Sequence, residues 1–353
     1  MQNLLVIFPS KDVSKELNKM LSAFVANFTN FSIVKSVEDL EDFSNKKILF
    51  VLNIGNTGFD ISILYFLNQL RERDTNAFHN SLGAVLAFSK TEFGTKCSTQ
   101  DIIFLANSMG CAFLGHPLVE ATKNMKNFLT WQKTINLPLD EICYELSARL
   151  GKRFMEYNYK TILNPKITVL YSTPHKYSNT LNLWRMASSN LKEFNINEIL
   201  IENGKILDCK GCSYKQCKHY AKKNTCFYGG FMVENILPAI EESDCVVWLC
   251  PNYNDGLSAN LTATINRLTV LCHKHSFYNK SMFGIVVSGN SGSDSVAKQL
   301  IGALNINKGF RLPGYAILSE TANDPNSILT IEGIQEKTQL FTNNFKNEFE
   351  ETR

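Results

Sequence analysis

Three short loops in the second half of the chain carry the residue types that a phosphate and a flat ring require. The first is Ser172-Thr-Pro-His-Lys-Tyr-Ser-Asn-Thr180. A bound phosphate wants hydroxyl donors, free backbone amides and the positive end of a helix dipole. Ser172, Ser178, Asn179 and Thr180 offer the hydroxyls and amides, the turn into the next helix offers the dipole, and His175 and Lys176 add favourable charge. A plain helix cap by Ser178 or Asn179 would account for the same residues. The second loop, Pro251-Asn-Tyr-Asn-Asp-Gly-Leu-Ser-Ala-Asn260, presents Tyr253 as an aromatic surface and the turn around Gly256 as a source of backbone amides. Its Asn and Gly content also fits a simple surface turn. In the third, Ser288-Gly-Asn-Ser-Gly-Ser-Asp294, small residues let backbone approach a planar ligand closely.

A fourth segment is chemically different. Cys209, Cys212, Cys217 and Cys226 cluster in a polar stretch with His219, whereas Cys97, Cys111, Cys143, Cys245, Cys250 and Cys272 are scattered, several of them inside apolar runs. Buried, such scattered thiols behave as small hydrophobes. The clustered ones suggest metal or redox work in a reducing compartment, and four thiolates, or three with His219, make a tetrahedral zinc set. Free thiols over a loop are the plainer alternative. Lys210, Lys215, Lys218, Lys222 and Lys223 make the same stretch locally positive, which suits a nicotinamide phosphate, an acidic redox partner or merely solvent.

The elements that must position these loops alternate short β-branched runs with longer amphipathic stretches, the pattern of a parallel sheet flanked by helices. In the second half, strands are expected at Ile167 to Tyr171, Glu198 to Glu202, Cys245 to Cys250, Phe283 to Val287 and Tyr315 to Leu318. The three loops then follow the first, third and fourth strands, where the winding of an open sheet reverses and one ligand can touch all of them. The first half reads as a worn copy. Lys47 to Asn53 followed by Ile61 to Leu70 parallels Val246 to Pro251 followed by Leu261 to Leu268, and Gly83 to Ser89 parallels Gly284 to Ser288. Its own strand-end segment brings Asp12 and Glu16 where a phosphate would want no acid, and Asn53-Ile-Gly-Asn-Thr-Gly58 lacks a dinucleotide fingerprint. His79 and His116 show no metal spacing.

From Lys166 to Leu318 the chain resembles the NADPH-dependent FMN reductase family of flavodoxin-like proteins, with its iron–sulfur flavoprotein branch. Ser172, Pro174, Asn179 and Thr180 match the family's first loop, Pro251 and Tyr253 its Pro-x-Tyr loop, Ser258 and Ala259 the small residues that follow, and Ser288, Gly289 and Gly292 its glycine-rich third loop. Arg267 matches the second half of a closing Asp-Arg pair; Asn266 replaces the acid, and Thr262 replaces a lysine. The resemblance implies FMN held by Ser172, Pro174, Ser178, Asn179 and Thr180 at its phosphate and ribityl end. At the ring it implies Pro251, Asn252, Tyr253, Asn254, Ser288, Gly289 and Asn290. In the iron–sulfur branch, tightly spaced cysteines hold a 4Fe-4S cluster that exchanges electrons with FMN. Here the interval from Cys212 to Cys217 is longer, and Gly229-Gly230 stands where acids are common.

The expectation is therefore an α/β protein of two flavodoxin-like, doubly wound parallel-sheet domains: a degenerate one at 1–130, a helical connection at 131–164, and an FMN-binding domain with a C-terminal helix at 165–353. Its activity would be NAD(P)H-dependent reduction of a small-molecule or protein acceptor, with no catalytic acid or base needed. The alternatives are an iron–sulfur flavoprotein-type electron carrier and a non-enzymatic binding module. A net charge of +3 over 353 residues gives no case for nucleic acid, and no apolar run is long enough for a bilayer. The apolar run Leu4 to Phe8 has no signal-peptide pattern before it, so a cytoplasmic location is expected, as is a homo-oligomer.

Overall fold

The computed structural model describes residues 4–158, 161–202 and 204–349. The chain divides into two compact units between residues 159 and 160. In the first, β1 (Leu4–Ile7), β2 (Phe31–Val34), β3 (Lys47–Ile54), β4 (Ser81–Ser89) and β5 (Cys111–Ala121) form a parallel sheet in the order β2-β1-β3-β4-β5. In the second, β6 (Lys166–Tyr171), β7 (Asn195–Leu200), β8 (Cys245–Pro251), β9 (Ser281–Ser288) and β10 (Ile317–Thr321) form another, in the order β7-β6-β8-β9-β10. Counted from its own first strand, each unit has the same order and the same reversal beside that strand. Both are doubly wound, flavodoxin-like α/β folds.

Helices on both faces explain the composition of the inner strands, which need apolar residues at successive rather than alternate positions. β9 is buried along its whole length, and β8 along all but its last residue. The edge strands β2 and β7 are mostly exposed and short. Serine and aspartate caps start the helices that leave the strands. Ser178 Oγ accepts from Leu181 N, Ser258 Oγ from Leu261 N, and Asp60 from Ser62 N and Ile63 N.

Three boundaries differ from the sequence expectation. β7 begins at Asn195 rather than Glu198, because its alternating polar residues face solvent at the sheet edge. β10 starts at Ile317, since Tyr315 lies at φ 56°, a left-handed conformation that interrupts an extended strand. The segment expected as a helical connection contains the Leu139–Glu156 helix, which folds with the first unit. Its Ile142, Cys143, Leu150 and Phe154 join the core of that unit. Gly151 permits the fit, since a Cβ there would stand 2.3 Å from the Phe24 carbonyl oxygen. Arg153 donates to the carbonyls of Gly115 and His116 beside an irregularity in the β4–β5 pairing.

The last helix, Ile334–Asn347, lays Phe341 and Phe345 against Phe283 of β9, with ring centroids 5.8 and 4.6 Å apart. Just beyond it Glu348 accepts from Ser281 Oγ and pairs with Arg311, and all three side chains are buried. A buried ion pair is worth little net, yet losing one partner leaves a stranded charge. Glu348→Ala should therefore destabilise the protein by about 3–5 kcal/mol in urea unfolding, while the double change Arg311→Met with Glu348→Leu recovers most of that loss.

Candidate functional site

At the carboxyl ends of β6, β8 and β9 lies an open cleft of about 290 Å³. The first loop lines it with Thr173, His175, Tyr177, Ser178, Asn179 and Thr180, the second with Pro251, Asn252 and Tyr253, and the strand end and third loop with Val287 and Gly289. A fourth segment, Ala322 and Asn323 after β10, completes the wall.

Seven of the twelve residues expected at the cofactor thus line the cleft: Ser178, Asn179, Thr180, Pro251, Asn252, Tyr253 and Gly289. The others stand behind or beside it. Ser172 accepts from Ser258 Oγ at 3.3 Å, which ties the first loop to the second. Ser288 is buried and accepts from Asn252 Nδ2 at 3.0 Å. Asn290 Oδ1 accepts from Ser291 N in its own exposed loop. Asn254 occupies a tight turn, and Pro174 is not among the lining residues.

Asn179 also needs a correction. Its amide nitrogen donates to the carbonyls of Ala322 and Asp324 at 3.0 and 2.9 Å, and its Oδ1 accepts from Ile328 N at 3.3 Å. The side chain fastens the segment after β10 and so is not offered to a phosphate. What remains for an anion is the start of the Asn179–Ser188 helix: its backbone amides, the Ser178 hydroxyl that caps it, and the partial positive charge of the helix end. No carboxylate is among the lining residues to oppose that charge.

Aromatic surface lies around the same end. His175 and Tyr177 stack at 5.1 Å with 6° between their planes. Tyr253, half exposed, has its hydroxyl 3.4 Å from Thr173 Oγ1. Tyr253 and Gly256 exchange both backbone hydrogen bonds, and Asn254 and Asp255 between them take φ of 51° and 57°. That is the two-residue type I′ turn, for which Asn and Asp are suited. The Asn252 amide nitrogen donates to Asp255 Oδ1, Ser288 Oγ and the Ser291 carbonyl, binding the second loop to the third. Its Oδ1 is buried and has no donor among the described residues. A buried acceptor left without a donor is costly, so a ligand N–H there would be favoured.

Thr173, Tyr177, Ala322 and Asn323 were not singled out from the sequence. The first two lay inside a loop read for its hydroxyls and charges. The last two were missed because the fifth strand was placed early, although small and amide residues follow it in Thr321-Ala-Asn-Asp-Pro325.

The cysteine segment does not line the cleft. It is fastened instead near the far end of the Ala259–Arg267 helix. Asn266 Nδ2 donates to Asp208 at 2.9 Å, and Arg267 reaches the carbonyls of Leu207 and Gly229 at 3.3 and 3.0 Å. Nine helical residues rise about 13 Å, which is the offset between this attachment and Ser258 beside the cleft. The Cys217 thiol is held above its ordinary range, first by partial burial and then by the neighbouring Cys209, Cys226 and Cys212. Cys212 Sγ lies 3.9 Å from the Tyr228 hydroxyl. Among the described residues, however, no group of three or more His, Cys, Asp or Glu side chains stands close enough to hold a metal ion. The metal set expected from spacing is not assembled in this structure.

The corresponding place in the first unit is organised around an acid. Asp60, almost fully buried, accepts from Ser10 Oγ at 2.9 Å, from Asn53 N at 2.7 Å, and from the first amides of the Ile61–Arg73 helix. Asp60 thus caps the helix after β3, the counterpart of the Ala259–Arg267 helix that Ser258 caps in the second unit.

The second unit is a flavodoxin-like domain with an open cleft at the reversal of its sheet. Residues 165–324 match the family model described as NADPH-dependent FMN reductase, so the resemblance of the C-terminal half to that family holds. The second unit is thus similar, over residues 165–324, to a family of flavin reductases. No curated protein matches the chain. Among solved structures, RosB with bound 8-demethyl-8-formylriboflavin-5'-phosphate is 15% identical at a TM-score of 0.42, over 52% of this chain and 79% of that one. An azoreductase from Bacillus anthracis is 11% identical at a TM-score of 0.35, over 52% and 99%. A flavodoxin, WrbA-like protein from Agrobacterium tumefaciens is 13% identical at 0.34, over 52% and 96%.

Gly292 tests the link between the second and third loops. It sits at φ 87°, and a Cβ there would stand 2.0 Å from Asp255 Oδ1. Gly292→Ala should part the two loops and weaken FMN binding roughly tenfold or more, at an expected strain of about 1–3 kcal/mol. Quenching of flavin fluorescence on titration measures it, with an unchanged circular dichroism spectrum as the control.

Proposed function

We propose that the protein is an FMN-dependent NAD(P)H oxidoreductase that passes electrons to a small-molecule or protein acceptor. The observation that carries this reading is the cleft itself. A helix start free of opposing carboxylate, a flat aromatic flank and the buried, donorless Asn252 Oδ1 meet at the reversal of the sheet. FMN bound there would supply the acceptance of a hydride and its release as electrons.

The chain's own contributions follow from the geometry. Ser178 and the first amides of the Asn179–Ser188 helix would hold the phosphate. Asn252 Oδ1 would accept a ring N–H, while its amide nitrogen keeps the second and third loops in register. Gly289 keeps a wall of the cleft thin, since a Cβ there would stand 2.9 Å from Asn323 Oδ1. Tyr253 flanks an open side from which a nicotinamide can approach. No side chain need act as an acid or base, and none of the lining residues is a carboxylate.

A second reading, an iron–sulfur flavoprotein-type carrier with a 4Fe-4S cluster, is favoured by one feature, the clustering of Cys209, Cys212, Cys217 and Cys226 in a single segment. It requires a rearrangement of the segment to bring them into ligand distance. Among the described residues no helix is long and apolar enough to cross a membrane.

The visible spectrum of anaerobically purified protein, taken before and after FMN and then NADPH, tests both readings. Flavin bands that bleach with NADPH are expected; protein that stays colourless with added FMN overturns the enzyme. Asn252→Ala should weaken FMN binding roughly tenfold, the effect of losing about 1–3 kcal/mol of buried hydrogen bonding. Iron and acid-labile sulfide in stoichiometric amounts would support the cluster, and their absence under anaerobic purification would remove it.

A further inference from the structure

We propose that the exposed face formed by residues 207–228 docks an acidic electron-carrier protein. This rests on the oxidoreductase reading above and names the kind of acceptor it serves. Residues 207–228 have five lysines, no arginine and one carboxylate, Asp208. That stretch carries +4 while the whole chain carries +3, so everything else together is −1. The positive charge is therefore concentrated, whereas several surface lysines elsewhere have acidic partners, such as Glu241 for Lys274 and Glu320 for Lys337.

All five lysines are exposed, and among the described residues none is paired with a carboxylate. Lys210 and Lys218 instead lie over the rings of Tyr228 and Tyr214, each 5.6 Å from the centroid. Leu207, Tyr214 and Phe227 are more than half exposed among these cations. Phe227 is braced edge-on by Tyr220 and Tyr228, so little side-chain freedom is left to lose on contact. An apolar, aromatic centre within a charged rim is the anatomy of a protein interface, and the charge would steer an acidic partner to it.

Phosphate polymers are a poorer fit. Their recognition favours the planar fork of arginine, of which the stretch has none. The Tyr214–Ala221 helix spans only about 12 Å, too short to follow a duplex backbone for more than a few phosphates. The face is also held rigidly to the flavin domain through Asn266 and Arg267, one short helix away from Ser258 at the cleft. The exchange balances if each NAD(P)H yields NAD(P)+, a proton and two electrons, and two carriers take one electron each.

The test uses full-length protein and a variant with Lys210, Lys215, Lys218, Lys222 and Lys223 all changed to Gln. Binding of an acidic ferredoxin and an acidic flavodoxin is measured by titration calorimetry at low and physiological ionic strength. NADPH-driven reduction of a neutral quinone is followed in parallel. Native protein should bind at least one carrier, more weakly as salt rises. The variant should lose roughly tenfold or more in affinity with its quinone rate unchanged. Absence of salt-dependent binding to either carrier, or equal binding by the variant, overturns the docking proposal. So does tighter binding of duplex DNA or phosphatidylserine vesicles than of either carrier. Failure of the quinone reaction in native protein would instead strike the oxidoreductase reading, because the binding measurement does not depend on turnover.

Discussion

Beside β6 the chain winds one way toward β7 and the other way toward β8. With crossovers of a single hand, the helices that follow these strands pass to opposite faces of the sheet, and the loops leading to them must part. A crevice opens there whatever the loop sequences are. The first amides of the Asn179–Ser188 helix point their unpaired donors at it, and all three loops read from the sequence reach its edge. Everything chemical about the second unit depends on that divergence.

Both units have this reversal, and they show how the same backbone solution is opened or closed. In the second, polar side chains pair with one another around the crevice: Ser172 with Ser258, Asn252 with Ser288, and Asn179 with the segment after β10. These contacts hold the walls while leaving the space. In the first, Asp60 reaches across to Ser10 and the end of β3 and takes the amides at the helix start. Gly58 and Gly94 come so close that a Cβ on Gly94 would stand 2.6 Å from the Gly58 carbonyl. One buried carboxylate and a direct loop contact pack the end of β3 in the first unit.

Arg267 shows a residue whose sequence context suggested one role and whose position gives it another. Its guanidinium is almost fully buried and spans the two flanks of the cysteine segment, with Asn266 holding Asp208 beside it. The acid that the sequence lacks at 266 is supplied from Asp208 across the contact. This pins the thiols and lysines on the side of the domain, away from the cleft, so the cleft and the cysteine segment are separate surfaces of one body.

Much of the fold was legible from the sequence because its physical cause is local. Runs such as Cys245-Val-Val-Trp-Leu-Cys250 can be satisfied only between two helical layers, and the alternation of such runs with amphipathic stretches specifies a parallel sheet. The cap at Ser178 and a turn near Gly256 declared themselves by residue type, since caps and tight turns depend on the side chain at that position. The sequence by itself thus determined two doubly wound sheets and the loops that border the cleft. The tertiary structure alone decided which of those residues face it. Asn179 turned to the segment after β10, Ala322 and Asn323 joined the wall, the Leu139–Glu156 helix packed into the first unit, and the cysteines stayed apart from one another and from the cleft. Such outcomes hang on contacts between residues more than a hundred positions apart, such as Asn179 with Ala322 and Asn27 with Ala148, and no local pattern encodes them.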